Sequence, residues 1–320
     1  MFLATAVFFG GTFVAAKAGI EYMPPLLFVA LRFDVAAVLL LGYVLLTHSR
    51  EEWLPRTRAD LAGIAAAGLF SIGLANAMLF LGQQYVSSAV ASIVFSLNPI
   101  LTPVFAAFLL SDERLSAPEA VGMVVALLGV AIVIGLDPVN LLASAGTVHA
   151  ILLAGAVGAA LGGVLIRRAD ASMSSTARTA WGLPLGALLC HLLALSQGER
   201  VAAIEWTPTG LVALGYVSVF SGVLAYIAYF GLLDEIGAIR TNLAFYLVPV
   251  VAALGGWAFL GEVITPTTVV GFLVVFVGFV ILNHRWVGRE LADLRGALGD
   301  DSRSRNRACI AGENGWNDRD

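Results

Sequence analysis

The chain has 320 residues, 59% of them hydrophobic and 12% charged, with a formal net charge of −4 and a mean hydropathy of +0.89. This balance lies far outside the range of soluble domains and identifies an integral membrane protein. The small net charge carries little information, because a bilayer hides most of the surface, and nucleic acid is not expected among the partners.

Ten apolar runs of about 18 to 24 residues follow one another, each long enough to cross a ~30 Å hydrocarbon layer as a helix. They fall near residues 3–20, 25–47, 61–81, 88–110, 119–136, 147–166, 177–197, 210–232, 238–260 and 266–283. The first has no basic residue ahead of it and Lys17 near its far end, so it reads as a span and not as a cleavable signal peptide. Basic residues set the orientation. With both termini cytoplasmic, inner loops hold Arg50, Arg56, Arg58, Arg114, Arg167, Arg168 and Arg178, while outer loops offer little beyond Lys17 and Arg200. The last stretch, 284–320, is polar and is expected to be a disordered cytoplasmic tail. The two cysteines, Cys190 and Cys309, have no disulfide or metal spacing.

A shift of 149 residues lays Gly73 on Gly222, Gly82 on Gly231, Glu113 on Glu262, Gly122 on Gly271 and Gly129 on Gly278. Random placement of the glycines gives about 0.6 coincidences where four occur. Residues 1–136 and 147–283 are therefore expected to be two copies of a five-helix unit. An odd number of spans turns the second copy over in the membrane, which makes the expected fold an all-α membrane protein of ten transmembrane helices in two inverted five-helix repeats.

The segments "FFGGTFVAAKAGI", "PPLLFVALRF", "NPILTPVFAAFLLSDERL" and "YLVPVVAALGGWAFLGEVIT" resemble the EamA-type transporters of the drug/metabolite transporter superfamily. The paired segments of proline, helix and Glu are the specific part. The resemblance implies ten spans, a central cavity between the halves, and export of a small metabolite. Gly10–Gly11, where these proteins often carry Trp-Gly, and Asp34 depart from the family pattern.

Pro99 and Pro249 each free a helix carbonyl and are read as hinges, while Pro103 has no counterpart in the second half. Glu113 and Glu262 close spans just ahead of the helix starts "SAPE" (Ser116–Glu119) and "TPTT" (Thr265–Thr268), so an interfacial, structural role is favoured over proton relay. Lys17 is near enough to a helix end to snorkel, with Asp34 or Glu21 as the expected neutralising partner. Arg32 sits about 12 Å into the second span and is read as orienting substrate or gating, because a cation at that depth is expensive. Arg240, Asn242 and Tyr246 form a polar strip ahead of Pro249, suited to an anionic or zwitterionic substrate; Ser92, Ser96 and Asn98 are the counterpart strip. Asn76, Tyr226 and Tyr229 complete the expected cavity wall. His149 and His191 stand singly and are read as packing residues.

No phosphate-cradling loop or nucleophile elbow occurs, and nothing clusters nucleophile, base or metal ligands at one depth. The reading is thus a secondary transporter of a small polar or amphipathic metabolite, not an enzyme, with no cofactor. Its partners are a small-molecule substrate and the lipid bilayer, and homodimer formation is left open. A non-transporting scaffold or sensor is the alternative, with a membrane-embedded enzyme behind it.

Overall fold

A computed structural model describes residues 1–110, 116–135, 144–229, 232 and 244–284. Among them the chain is helical with no strand. Seven helical spans are long and apolar enough to cross a membrane: α1 (Phe2–Gly19), α2 (Pro25–Thr47), α4 (Arg58–Gln83), the pair α5 (Ser88–Phe95) and α6 (Asn98–Leu109) taken together, α8 (Ser144–Ala169), α9 (Ser175–Ser196) and α10 (Pro208–Tyr229). Three shorter apolar helices are α7 (Ala117–Val133), α11 (Ala244–Leu260) and α12 (Pro266–Leu282), and α3 (Arg50–Trp53) is a single polar turn. Each of the ten apolar runs overlaps one of these helices or, at 88–110, the broken pair. Apart from His284, the 284–320 tail lies outside the described residues.

Local chemistry fixes the helix starts. Ser87, Ser174, Thr207 and Thr265 accept backbone N–H groups three residues on, and Glu119 reaches back to the Ser116 amide at 2.7 Å, which satisfies donors that lipid would leave unpaired. Both expected starts, at Ser116 and Thr265, are helix N-termini. Pro25, Pro208 and Pro266 stand in first turns, where the missing N–H is harmless.

Glycines decide how the helices meet. On α7 and α12, a Cβ at Gly122 would lie 2.6 Å from the Gly278 carbonyl oxygen and one at Gly278 2.6 Å from that of Gly122; Gly129 and Gly271 stand in the same relation at 2.8 and 2.7 Å. The two helices therefore run antiparallel with backbones in contact, a packing only small residues allow. The contacts are reciprocal under the 149-residue shift: Gly122 touches the counterpart of Gly129, and Gly129 the counterpart of Gly122. The same rule holds elsewhere. Helix α4 packs on α9 and α10 on α2; α8 packs on α6 and α1 on α11.

Two wide turns have no counterpart in the sequence reading. Residues Ala66–Leu74 in α4 and Tyr216–Leu224 in α10 are wound as wide π-helical turns, 150 positions apart. Each wide turn holds a repeat glycine, Gly73 or Gly222, whose Cβ position is 2.9 Å from the Gly68 carbonyl and 3.2 Å from the Val217 carbonyl, five residues back. The fourth run is also broken: α5 stops at Phe95, Ser96 and Leu97 form a turn, and Pro99 stands in the first turn of α6. Pro249 lies inside the unbroken helix α11. Gly278→Leu is expected to force α7 and α12 apart and to cost about 1–3 kcal/mol, measured as a lower Tm of the purified protein in detergent, whereas Gly42→Leu, at a position with open space around it, leaves Tm within error.

Candidate functional site

Arg32 projects from α2 into the middle of the bundle and is 4% exposed. Its guanidinium lies over the rings of Phe33 and Phe80, 4.8 and 5.5 Å from their centroids, at the distance where the ring face attracts a cation. Its Nη1 donates to Asn76 Oδ1 at 3.4 Å, a long contact. Nε is buried without a hydrogen-bond partner, and among the described residues no carboxylate forms an ion pair with it. Tyr226 and Cys190 lie within electrostatic reach. Asn76 is held from the other side: its Nδ2 donates to the Ile72 carbonyl at 2.8 Å, inside the wide turn of α4. That turn therefore aims Asn76 at Arg32.

Aromatic rings continue the wall. Phe9 of α1 meets Tyr226 edge-on at 5.6 Å, Tyr229 at 6.4 Å and Phe245 of α11 at 5.4 Å; Tyr229 and Phe245 are 5.4 Å apart. Phe13 and Phe95 form a further edge-to-face pair at 6.2 Å. A guanidinium short of acceptors thus shares its surroundings with phenolic and phenyl faces, an arrangement suited to a solute with one anionic end and an apolar or cationic remainder.

Of the residues expected from sequence, Arg32, Asn76, Tyr226 and Tyr229 fall in this cluster. Ser92 and Ser96 return their hydroxyls to their own helix, at the Ala89 and Ile93 carbonyls, and Asn98 receives Thr102. Tyr246 does not join the Arg32 cluster: it is buried against Phe279 and Phe276 of α12, at 3.7 and 6.2 Å between centroids, because its face of α11 turns toward that neighbour. Arg240 and Asn242 lie outside the described residues, as does Glu113. The aromatic partners Phe9, Phe80 and Phe245 were not singled out from sequence, where phenylalanine in an apolar run gives no signal of its direction.

One end of the bundle is tied by charge. Lys17 donates to the Gln83 and Gln84 carbonyls at 2.9 and 3.2 Å, complementing the negative end of α4, so neither Asp34 nor Glu21 is its hydrogen-bonded partner. Gln83 donates through its side chain to the Phe13 carbonyl. Glu262 accepts the Ser88 amide at 2.9 and 3.0 Å and its hydroxyl at 3.2 Å, capping α5 from the end of α11. Gly261, with φ +65°, turns the chain back, and Gly256 leaves room: a Cβ there would collide with the Glu262 carboxylate. Glu199 does the same for α2, accepting from Leu26 and Leu27 at 3.2 and 2.8 Å. Glu262→Ala leaves the Ser88 amide open and is expected to destabilise by about 1–3 kcal/mol, read as a fall in Tm that Glu262→Gln partly restores.

Asp34 does have a partner. His191 of α9 approaches it, Nε2 to Oδ2, at 2.8 Å, which corrects the reading of His191 as a packing residue.

A model of the EamA-like transporter family matches the chain twice, over residues 1–135 and 147–284. Similar curated proteins are "Uncharacterized transporter YyaM" of Bacillus subtilis, 29% identical over 87% of this chain and 90% of that one, and an "Uncharacterized transporter" of Archaeoglobus fulgidus, 27% identical over 88% and 96%. "Uncharacterized inner membrane transporter YedA" of Escherichia coli K12 is 30% identical over 82% of each chain. A solved crystal structure at 20% identity covers 88% of this chain and 95% of its own, with a TM-score of 0.62, a likeness of fold.

Proposed function

This chain belongs to the EamA-like transporter family and is a multi-pass membrane transporter, and on that premise we propose that it is a secondary exporter of a small amphipathic solute whose carboxylate pairs with Arg32. The observation that carries the reading is the buried guanidinium itself. A cation in the membrane interior is costly unless paired or facing water, and here, among the described residues, Nε is unpartnered and the one side-chain hydrogen bond, to Asn76, is long. A bound carboxylate supplies the missing acceptors in the two-oxygen geometry that Arg recognises. Phe9, Tyr226 and Tyr229 then offer ring faces to an apolar side chain or an ammonium group.

Movement follows from duplication. We read 1–136 and 147–283 as inverted five-helix repeats with both termini cytoplasmic, rocking about the glycine contacts of α7 and α12 so that the Arg32 site opens to one side and then the other. The reciprocal glycine contacts and the two wide turns 150 positions apart support the duplication. The Ser96–Leu97 break ahead of Pro99 gives α5 and α6 a place to bend, with Pro249 as the matching point in α11. Export is what the family resemblance implies.

The test is uptake of a labelled equimolar mixture of L-amino acids into inside-out vesicles. Uptake by the wild type is expected, and Arg32→Gln is expected to lower it about tenfold or more, the equivalent of one charged hydrogen bond, with Arg32→Lys in between. Equal uptake by a well-folded Arg32→Gln variant removes Arg32 from the site, and no uptake by the wild type removes this solute class.

A further inference from the structure

Asp34 and His191 are titratable residues in the membrane that substrate recognition does not use. They line a groove of about 410 Å³ between α2 and α9 whose other walls are apolar: Ala37, Val38, Leu41, Pro184, Ala187 and Leu188. Asp34 lies about 15 Å into the second span at 1.5 Å per residue. The side chains are 37% (His191) and 47% (Asp34) exposed. We propose that Asp34 and His191 form a proton-binding site that links solute movement to the transmembrane proton gradient, an inference that rests on the transport reading above.

The chemistry is that of one added proton. With His191 neutral and its Nε2–H donated to Asp34 Oδ2, the pair carries one negative charge. A proton taken up at Nδ1 gives an imidazolium paired with a carboxylate, net zero, in a setting where net charge is expensive. The remaining charged and titratable groups around the pair are few. Helix α2 adds Arg32, α9 adds Cys190, which is within electrostatic reach of both Arg32 and Asp34, and α10 adds Tyr226 beside Arg32. Helix α4 sets Asn76 and the ring of Phe80 beside Arg32, and the Gly73 carbonyl accepts from Cys190. Its Arg58 and Asp60, with Arg50, Glu51 and Glu52 of α3, belong to the opposite ends of α2 and α9, where Asp60 meets Ser172.

Position gives the proton its leverage. The pair joins α2, from the first matched segment, to α9, from the second, and it sits one or two residues from the contact of Arg32 with its surroundings. An ion pair holds the two helices more strongly than a neutral hydrogen bond. Any rearrangement that separates α2 from α9 therefore changes proton affinity, and by linkage proton binding biases that rearrangement.

The experiment uses the full chain in proteoliposomes loaded with a pH-sensitive dye, with the L-amino acid mixture as the probe and counterflow of labelled against unlabelled amino acids measured in parallel. In the wild type, an amino acid gradient is expected to move protons in step with solute. Asp34→Asn and His191→Gln are expected to lose that proton movement at least tenfold while counterflow, which needs no net proton transfer, persists; Asp34→Glu is expected to keep both. Counterflow without proton movement in the wild type, or proton movement retained in Asp34→Asn and His191→Gln, overturns the inference and leaves the transport reading standing. Absence of counterflow in the wild type overturns the amino acid reading and the coupling with it. A variant that loses counterflow and also elutes as aggregate is replaced by Asp34→Glu with His191→Asn, for which retained proton movement overturns the inference in the same way.

Discussion

A guanidinium held inside an apolar bundle, with no carboxylate against it among the described residues, sets the terms that the surrounding helices meet. Arg32 is tolerable there because Phe33 and Phe80 present ring faces, Asn76 lends one acceptor, and Tyr226 stands near. Each of these comes from a specific backbone arrangement. Asn76 is aimed by the wide turn of α4, and Tyr226 stands two residues beyond the wide turn of α10. A wide turn adds a residue to the helix circumference and so rotates everything that follows it. The electrostatic demand at Arg32 is thus met by the winding of two helices that share a repeat position.

Glycine performs the complementary task of bringing backbones close. In lipid the hydrophobic effect does not drive helices together, so close packing must. Gly122, Gly129, Gly271 and Gly278 give α7 and α12 that contact, and Gly68, Gly182 and Gly186 do so between α4 and α9. The charged ties at one end of the bundle are of another kind. Lys17, Glu199 and Glu262 each sit on a helix terminus, where backbone N–H or C=O groups lack helical partners. The sequence-level choice of a structural role for Glu262 agrees with its contact to Ser88.

Much of this was legible in the residues alone, and the division has physical causes. Hydrophobic length located the ten apolar runs, and Ser116 and Thr265 marked helix starts because capping is local chemistry within three or four residues. The glycine matches at 122/271 and 129/278 suggested a duplication from spacing alone, and in the fold those same glycines touch. Arg32 stood out because its cost at that depth is independent of its neighbours. Partners across the chain were not legible. Asp34 and His191 are 157 positions apart, and nothing in the spacing of either one points to the other. The wide turns escaped too, since i→i+5 bonding places no distinctive demand on side chains in an apolar run. Tyr246 was assigned to the cavity from its position in a polar strip, yet its neighbours on α12 claim that face.

The most direct measurement is the change in Tm of the purified protein with paired solutes, each a carboxylate and its primary amide, from the amino acid series. Recognition of a carboxylate by Arg32 requires that at least one acid raise Tm, that its amide not do so, and that Arg32→Gln abolish the difference. Equal stabilisation by acid and amide, or a response unchanged in Arg32→Gln, contradicts the account.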